Sequence, residues 1–304
     1  MYGQNAGSNY EVISVREDTQ VHFRTSIDPG SYIPPHWHDA IEIVYMQEGE
    51  LTFTIEQQIY HLISGQCILV NPNIIHATKC TAPNKAIIFQ IPVNFLENYI
   101  PNVRQLLFTI TDPETDSILR TKLDLLKQTL EKMQLINDLK PDGGILRFNS
   151  LLFEVLFQLY HNFSVQVFHA DVTGKNKALK RLAPVLNYTA KHYNQPISIE
   201  EIAGVAALQP RYFCRFFKKC MGVTFLEYQN ELKLSYIYQD LLSTDDKISA
   251  ILERHGFTNY KLFRRMFAKH FSATPSRVRK GAGLVPDYPN AGQDTSDSQQ
   301  RLLP

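Results

Sequence analysis

The sequence predicts an α+β chain of two domains, with an antiparallel β-barrel first and an all-α domain last. Short β-rich segments separated by Gly, Asn and Pro fill residues 10–92. Helical periodicity begins near residue 113, and one helical pattern occurs twice after residue 199. We therefore expect a barrel at 1–110, a helical hairpin at 111–169, a linker at 170–177, two helix-turn-helix units at 178–280 and a disordered tail at 281–304.

Composition limits the class of protein. The chain has 304 residues, of which 44% are hydrophobic, enough to build two cores. Its four cysteines show neither a close pair nor metal-binding spacing, which indicates reduced thiols. The N-terminus lacks a signal-peptide pattern, and the longest apolar run, 151–163, is too short to span a bilayer. We expect a soluble cytoplasmic protein with no membrane partner.

Charge is distributed unevenly between the two halves. Residues 175–280 contain 19 Lys and Arg against 8 Asp and Glu, a net charge of +11. The remainder contains 12 and 22, a net charge of −10, and the two add to the +1 of the whole chain. A basic domain joined to an acidic one indicates that the C-terminal half binds a phosphate backbone.

The barrel is predicted from alternating segments at 41–46, 51–55, 58–62, 67–70 and 86–91. Within it lies the pattern Gly30-x5-His36-x-His38-x3-Glu42-x6-Gly49, whose histidines and glutamate are all at even positions. Strand alternation therefore places these three side chains on one face.

This pattern resembles the first motif of the cupin family, so the barrel is expected to be cupin-like. The second cupin motif is only partly present, as Gly65-x6-Pro72-x3-His76. In metal-dependent cupins the residues at these places bind one transition metal. The resemblance therefore implies His36, His38, Glu42 and His76 as the metal ligands if the barrel binds a metal.

Three interpretations of this cluster stay open: a pocket for a small effector, a metal site, and a polar cluster satisfied by its own hydrogen bonds. We favour the effector pocket, with a sugar as the favoured ligand, because hydroxyl groups pair with imidazole and carboxylate edges. Trp37 falls on the opposite face and is expected to pack or to cover the barrel mouth. The predicted pocket residues are Arg24, His36, His38, Glu42, Tyr45 and His76.

Two helices are predicted to follow the barrel, at 113–134 and 145–162, with a break at 141–144. Their apolar surface is wider than one helix face. Part of it can cover the barrel, and the excess predicts a homodimer that associates through this hairpin.

The C-terminal half contains the pattern F-x-R-x-F-x-K-x4-T twice, starting at Phe213 and again at Phe263. Each copy is expected to be two helices joined by a turn, with Ser198 as an N-cap, Pro210 in a first turn and Gly256 in the second unit's turn. Phenylalanines fall on one side of each second helix and basic residues on the other. Such helices can simply pack in a helical domain, but the duplication favours two successive contacts with a DNA major groove.

These motifs, together with Phe257 and Thr274-Pro275, resemble the DNA-binding domain of AraC-type (AraC/XylS family) transcription regulators. A helix from about Phe225 to Thr244 resembles the long helix that joins the two readers in that family. Two residues depart from the family pattern: Ser272 replaces Gly, and Val278 replaces Tyr. The resemblance implies that DNA is contacted by Arg211, Cys214, Arg215, Lys218, Lys219, Tyr260, Lys261, Arg264, Arg265 and Lys269.

The sequence therefore predicts an effector-responsive, sequence-specific transcription regulator, and the family resemblance implies an activator of a carbohydrate-utilisation operon. The expected partners are double-stranded DNA, a small-molecule effector, RNA polymerase and a second copy of the chain. No catalytic residue is predicted. The alternative is a metal-dependent cupin enzyme with an accessory helical domain. A third interpretation is a DNA-binding protein whose barrel only dimerises.

Overall fold

A computed structural model describes residues 11–280, apart from 12, 57, 81, 111–115, 167–170 and 272. The predicted tail at 281–304 and the Ser272 departure lie outside the described residues. An N-terminal antiparallel β domain is followed by a C-terminal helical domain, which confirms the predicted α+β architecture. No described helix is both long enough and apolar enough to span a bilayer.

The barrel consists of two four-stranded antiparallel sheets. The strands are β1 His22–Asp28, β2 Ser31–His36, β3 Ala40–Glu48, β4 Glu50–Ile55, β5 Gln58–Ile63, β6 Cys67–Val70, β7 His76–Cys80 and β8 Asn84–Pro92. One sheet has the order β1-β8-β3-β6, and the other has the order β2-β7-β4-β5. In the first sheet Glu42 lies opposite Gln90, and in the second His36 lies opposite His76.

The two faces of the first sheet bury different partners. Odd-numbered residues of β3, such as Ile41 and Ile43, pack with the helical hairpin, whereas Val44 and Met46 pack with Phe53 inside the barrel. This is the period of two expected of a strand buried on both sides. The connecting elements are a short helix α1 Val93–Leu96 and a two-stranded sheet of β9 Leu106–Phe108 and β10 Ser164–Gln166.

The predicted hairpin is formed by α2 Ser117–Leu139 and α3 Gly144–Asn162. Asp116 caps the first helix by accepting hydrogen bonds from the Ile118 and Leu119 amides. The hairpin covers the outer face of the first sheet. It also leaves large apolar side chains exposed, among them Leu146 at 76% and Phe157 at 58%.

The helical domain contains α4 Asp171–His192, α5 Ile199–Val205, α6 Pro210–Met221, α7 Phe225–Ser243, α8 Ile248–Arg254, α9 Tyr260–Phe271 and α10 Pro275–Arg279. Helix α4 begins at Asp171, so residues 171–177 of the predicted linker are helical, seven residues before the predicted start at Ala178. This segment has no apolar periodicity of its own, and periodicity was the only signal available in the sequence.

The helix boundaries of the repeat follow from local chemistry. Ser198 and Glu201 form a capping box at α5, and Thr224 and Glu227 form another at α7. Pro210 occupies the first turn of α6, where a missing amide proton costs nothing. These boundaries confirm the predicted N-cap and the predicted long joining helix.

The barrel and the helical domain pack directly against each other along β2. Tyr32 in β2 donates a hydrogen bond from its hydroxyl to Glu231 of α7 at 3.1 Å. A Cβ at Gly30 would lie 2.7 Å from the Tyr238 hydroxyl, and the φ of +146° at this position also favours glycine. Trp37 is 1% exposed and packs with Leu182, Phe217 and other residues of the helical domain.

Candidate functional site

The second helix of each helix-turn-helix unit, α6 and α9, has the predicted amphipathic construction. Phe213 and Phe217 in α6 are fully buried. Phe263 and Phe267 occupy the same places in α9 and are equally buried. The aromatic anchors fix each helix to the domain core, which leaves its opposite face free to contact a ligand.

Two apolar residues of these helices, Phe216 and Met266, are only half-buried. Phe216 lies at the edge of the first core and stacks on Tyr212 at 6.1 Å between ring centroids. Met266 borders the second core. Both are one position outside the stripe of fully buried phenylalanines, where a helix turns toward solvent.

The exposed faces of α6 and α9 carry the predicted DNA-contacting residues. Within the described part of the chain, the guanidinium groups of these two helices form no ion pair, so they are available for base edges or phosphates. The exposed residues are Arg211, Cys214, Arg215, Lys218 and Lys219 in α6, and Tyr260, Lys261, Arg264, Arg265 and Lys269 in α9.

Lys219 differs from the others in its surroundings. It lies in the last turn of α6 and lines a cavity between the helical domain and the barrel. The structure therefore places it on the side of the first reader that faces the barrel.

The predicted histidines and glutamate do come together inside the barrel. Nε2 of His38 is 3.1 Å from a carboxylate oxygen of Glu42, and Nε2 of His76 is 4.0 Å from the other oxygen. The ring centroids of His36 and His76 are 4.1 Å apart. All four side chains are buried.

Backbone carbonyls determine the protonation of the three imidazoles. Nδ1 of His36, His38 and His76 contacts the carbonyl oxygens of Pro34, Ala40 and Ile74 at 2.9, 3.1 and 2.9 Å. Because a carbonyl only accepts, each Nδ1 carries the proton, and each Nε2 faces the interior of the cluster.

Burial and neighbouring charge divide the cluster into an ion pair and two neutral rings. Burial, then the neighbouring His76, lowers the pKa of His36 to about 4, and burial also lowers the pKa of His76. Burial opposes charge on His38 too, but the hydrogen bond that His38 donates to Glu42, together with the negative charges of Glu42 and Glu11, outweighs burial and raises the pKa of His38. Burial likewise opposes charge on Glu42, but the hydrogen bond from His38 and the neighbouring imidazoles together outweigh burial and depress the pKa of Glu42. His38 and Glu42 therefore form an imidazolium–carboxylate pair.

Two further residues belong to the cluster and were missed in the sequence. The Gln90 amide donates to Glu42 at 2.7 Å and to Glu11 at 3.0 Å. Glu11 is brought there by a backbone bond from its amide to the Trp37 carbonyl at 3.0 Å. A glutamine within the apolar strand 86–91 was a usable signal, whereas the approach of Glu11 depends on contacts that no local pattern contains.

One of the two remaining predicted pocket residues lies elsewhere. Tyr45 is at an odd position of β3, so its side chain points to the outer face, where its hydroxyl donates to Glu131 of α2 at 2.9 Å. Its inclusion in the pocket was wrong, because strand alternation separates it from Glu42. Arg24 is half-buried opposite Ile88, two strand positions beyond the pair of Glu42 and Gln90.

The cluster has the donor set of a transition-metal site. One ligand atom from each of His38, Glu42 and His76 can be chosen so that all three lie within 4.8 Å of one another. Nε2 of His76 is buried and has no hydrogen-bond partner among the described residues. Imidazoles whose Nδ1–H is held by a carbonyl present Nε2 to a metal in a fixed orientation. The residues therefore fit such an ion.

Comparison with known proteins identifies both domains. Residues 22–142 match the family model described as the AraC-like ligand binding domain, and residues 202–281 match that of a helix-turn-helix domain. The chain is 23% identical over 276 residues to an uncharacterized HTH-type transcriptional regulator YdeC of Bacillus subtilis, covering 85% of this chain and 90% of that protein. It is 25% identical over 259 residues to the HTH-type transcriptional activator RhaS of Enterobacter sp., covering 83% and 90%.

A solved structure, ToxT from Vibrio cholerae, is also similar, with 16% identity, a TM-score of 0.45 and coverage of 86% of this chain and 99% of that one. Both domain models occur in the order that the fold shows, barrel first and helix-turn-helix units last. The chain belongs to the AraC-type transcription regulators, with an N-terminal ligand-binding domain and a C-terminal helix-turn-helix domain.

Proposed function

We propose that this regulator binds a bipartite DNA site, with α6 and α9 each entering one of two successive major-groove segments. The observation that carries the proposal is the pair of exposed basic faces on two helices anchored by equivalent phenylalanines. The +11 charge of residues 175–280 supports backbone contact by the same domain. Helix α7 runs without interruption between the two units and can hold them at one spacing.

Selection of duplexes from a random library by the full chain tests this proposal. We expect two enriched elements separated by about one helical turn, about 10 bp between centres. Affinity for the selected site should fall steeply with salt, because several phosphates are neutralised. A single enriched element, or no enrichment over random duplex, would contradict the two-reader proposal.

We further propose that a small effector binds at the barrel cluster of His36, His38, Glu42 and His76. A buried group of imidazole, carboxylate and amide edges can pair with the hydroxyls of a carbohydrate. Trp37 lies between two of these histidines in sequence and packs into the helical domain. A ligand that shifts the histidines would therefore displace a residue that contacts the DNA-binding domain.

The regulatory output proposed here is activation of a carbohydrate-utilisation operon in response to that effector. Activation is supported by relatives named as transcriptional activators, and the carbohydrate by the polarity of the cluster. In a reporter assay with a sugar panel, His38→Ala should abolish the response while DNA affinity without effector stays within about twofold. A response that survives His38→Ala would place the effector elsewhere.

A metal at the same cluster is the alternative that a specific observation favours. His38, Glu42 and His76 would hold the ion, with His36 adjacent, and a bound divalent ion would supply Lewis-acid chemistry there. Metal analysis of the purified chain tests this occupancy. A stoichiometric metal that is lost in His76→Ala would support a metal centre, and turnover of a substrate would favour the cupin enzyme over the regulator.

Self-association through the helical hairpin is proposed from its exposed apolar side chains. Leu146, Phe153 and Phe157 of α3 are exposed to solvent even though α2 and α3 already cover the barrel. A second copy would bury them and would place two reader pairs on repeated DNA sites. Sedimentation at micromolar concentration should show a dimer that Leu146→Asp weakens. A strict monomer would contradict it.

A further inference from the structure

A cavity of about 510 Å³ lies between the barrel and the first helix-turn-helix unit. Its barrel wall includes Ile75, His76 and Ala77, and its helical wall includes Ala178, Leu179 and Val223. Cavities of about 300–1,000 Å³ are typical of small-molecule sites. This cavity is separate from the polar cluster except at His76, which belongs to both.

The lining of the cavity defines the class of ligand. Most of its residues are apolar, and its acidic and basic side chains, Glu56 and Lys219, give a formal charge of zero when His76 and Cys220 are neutral. A charged ligand would therefore lose its hydration without meeting an opposite net charge in the cavity lining. The hydrogen-bonding groups of Thr54 and Asn73 also line it. These groups can satisfy a hydroxyl, whereas a sugar would leave several hydroxyls facing apolar walls.

The cavity touches the part of the DNA-binding domain that sets the orientation of the first reader. Met221 and Gly222 end α6, and Gly222 adopts a left-handed conformation at φ +77°. Leu179 and Met221 share one hydrophobic cluster with Trp37 of the barrel. A molecule in the cavity would contact both domains at once and would stabilise their packing by its own binding free energy.

We propose that this cavity is a second ligand site, for an uncharged and mainly apolar molecule with one hydroxyl group, such as an aliphatic alcohol. The bound molecule holds the first reader against the barrel, while the second reader keeps its own contacts. The regulatory consequence rests on the proposed DNA-binding function, whereas ligand binding itself does not.

Trp37 is the only tryptophan of the chain and packs beside the cavity, so its emission can report binding by the full-length protein. We expect 1-octanol to change Trp37 emission in a saturable way, and octanoate to bind at least tenfold more weakly. Ala178→Leu fills the cavity from the helical wall and Ala77→Leu from the barrel wall, and each should weaken octanol binding at least tenfold. Ala183→Leu is the matched control, since Ala183 is half-buried in the same helix without lining the cavity.

The proposal is overturned if octanol gives no saturable change in the wild-type chain. Octanoate binding as tightly as octanol would overturn the assigned ligand class. Wild-type octanol affinity in both folded leucine variants would overturn the location. Affinity for the selected DNA site, measured on the same samples without alcohol, reports the proposed regulator function separately, so either proposal can fail without the other.

Discussion

The two helix-turn-helix units present the same reader but are held in place by different contacts. The first unit packs by apolar contacts, through Trp37 and Leu182, onto the barrel and α4. The second unit packs its phenylalanines with Tyr32 of the barrel, and Arg254 adds ion pairs with Asp240 and Asp246. The two DNA-binding faces are therefore similar, whereas the contacts that hold their helices in place differ.

The turn between the helices shows the same contrast. In the second unit Gly256 has φ +62°, and its carbonyl accepts a hydrogen bond at 2.8 Å from the buried Lys233 of α7. In the first unit the left-handed turn position is Ala207, at φ +51°. Lys233 thus ties the second unit to the joining helix, and the cavity between the barrel and the helical domain adjoins the first unit. We expect a ligand of that cavity to act on the first unit.

The largest expected effect is on stability, and it differs between substitutions at the two turns. A Cβ at Gly256 would lie 1.7 Å from the Asn194 carbonyl oxygen, so Gly256→Ala adds a backbone clash to left-handed strain. We expect a loss of about 3 kcal/mol or more in the free energy of unfolding. Ala207→Gly should instead stabilise by about 0.5 kcal/mol, because relieved strain exceeds the entropy cost of glycine. Urea denaturation of both variants measures this difference, and equal effects would contradict the contrast.

The readers themselves should be equivalent on DNA. Arg215→Ala and Arg265→Ala should each lose about 1–3 kcal/mol of binding to the selected site, with a smaller loss on random duplex, if each arginine reads a base. Fluorescence anisotropy at fixed salt measures both affinities. Equal losses on selected and random duplex would assign that arginine to a phosphate.

A smaller effect is expected at the contact of β2 with α7. Tyr32→Phe removes the hydroxyl that donates to Glu231 at 3.1 Å and should cost about 1 kcal/mol of the free energy of unfolding. Tyr60→Phe is the control, because that hydroxyl bonds an exposed glutamine. Urea midpoints that fall equally in both variants would show that the bond to Glu231 adds nothing to the packing of the domains.

The smallest expected effect is a pH dependence at His270 in α9. Burial, then Lys79 of β7 and Lys269 of its own helix, lowers its pKa to about 4, while Glu231 of α7 lies 3.8 Å away and Tyr32 of β2 packs on the ring. An unfolded chain protonates the histidine near its ordinary pKa, so this contribution to stability is present above about pH 6.5 and is lost as pH falls toward 4.

Burial raises the pKa of Glu231, so its protonation changes stability in the opposite direction on acidification. The contribution of His270 must therefore be measured as the difference in pH dependence between the wild-type chain and a variant without the histidine. His270→Gln cannot titrate. The wild-type chain should therefore lose more stability than His270→Gln between pH 7 and pH 5. Parallel pH profiles would remove His270 from the account.

Local chemistry made most of this fold predictable. Ser198 as an N-cap, Pro210 in a first turn and the even spacing of His36, His38 and Glu42 are short-range signals, and each is found in the structure. Tyr45 could have been assigned correctly by the same alternation, since its odd position places it under α2.

The remaining features depend on contacts between distant segments. Gln90 joins the cluster only because the register of β3 and β8 places it opposite Glu42. The packing of Trp37 on the helical domain and the cavity beside it depend on how two domains meet. A pattern that repeats within one element carries no information about such contacts.

The central claim is that one rigid helix, α7, holds two readers at a fixed spacing on one duplex. Inserting about 5 bp between the two halves of the selected site moves them to opposite sides of the DNA. We predict that the wild-type chain then binds no more tightly than Arg265→Ala binds the original site, and that Arg265→Ala loses little further affinity. Full wild-type affinity for the site with the insertion would contradict the account.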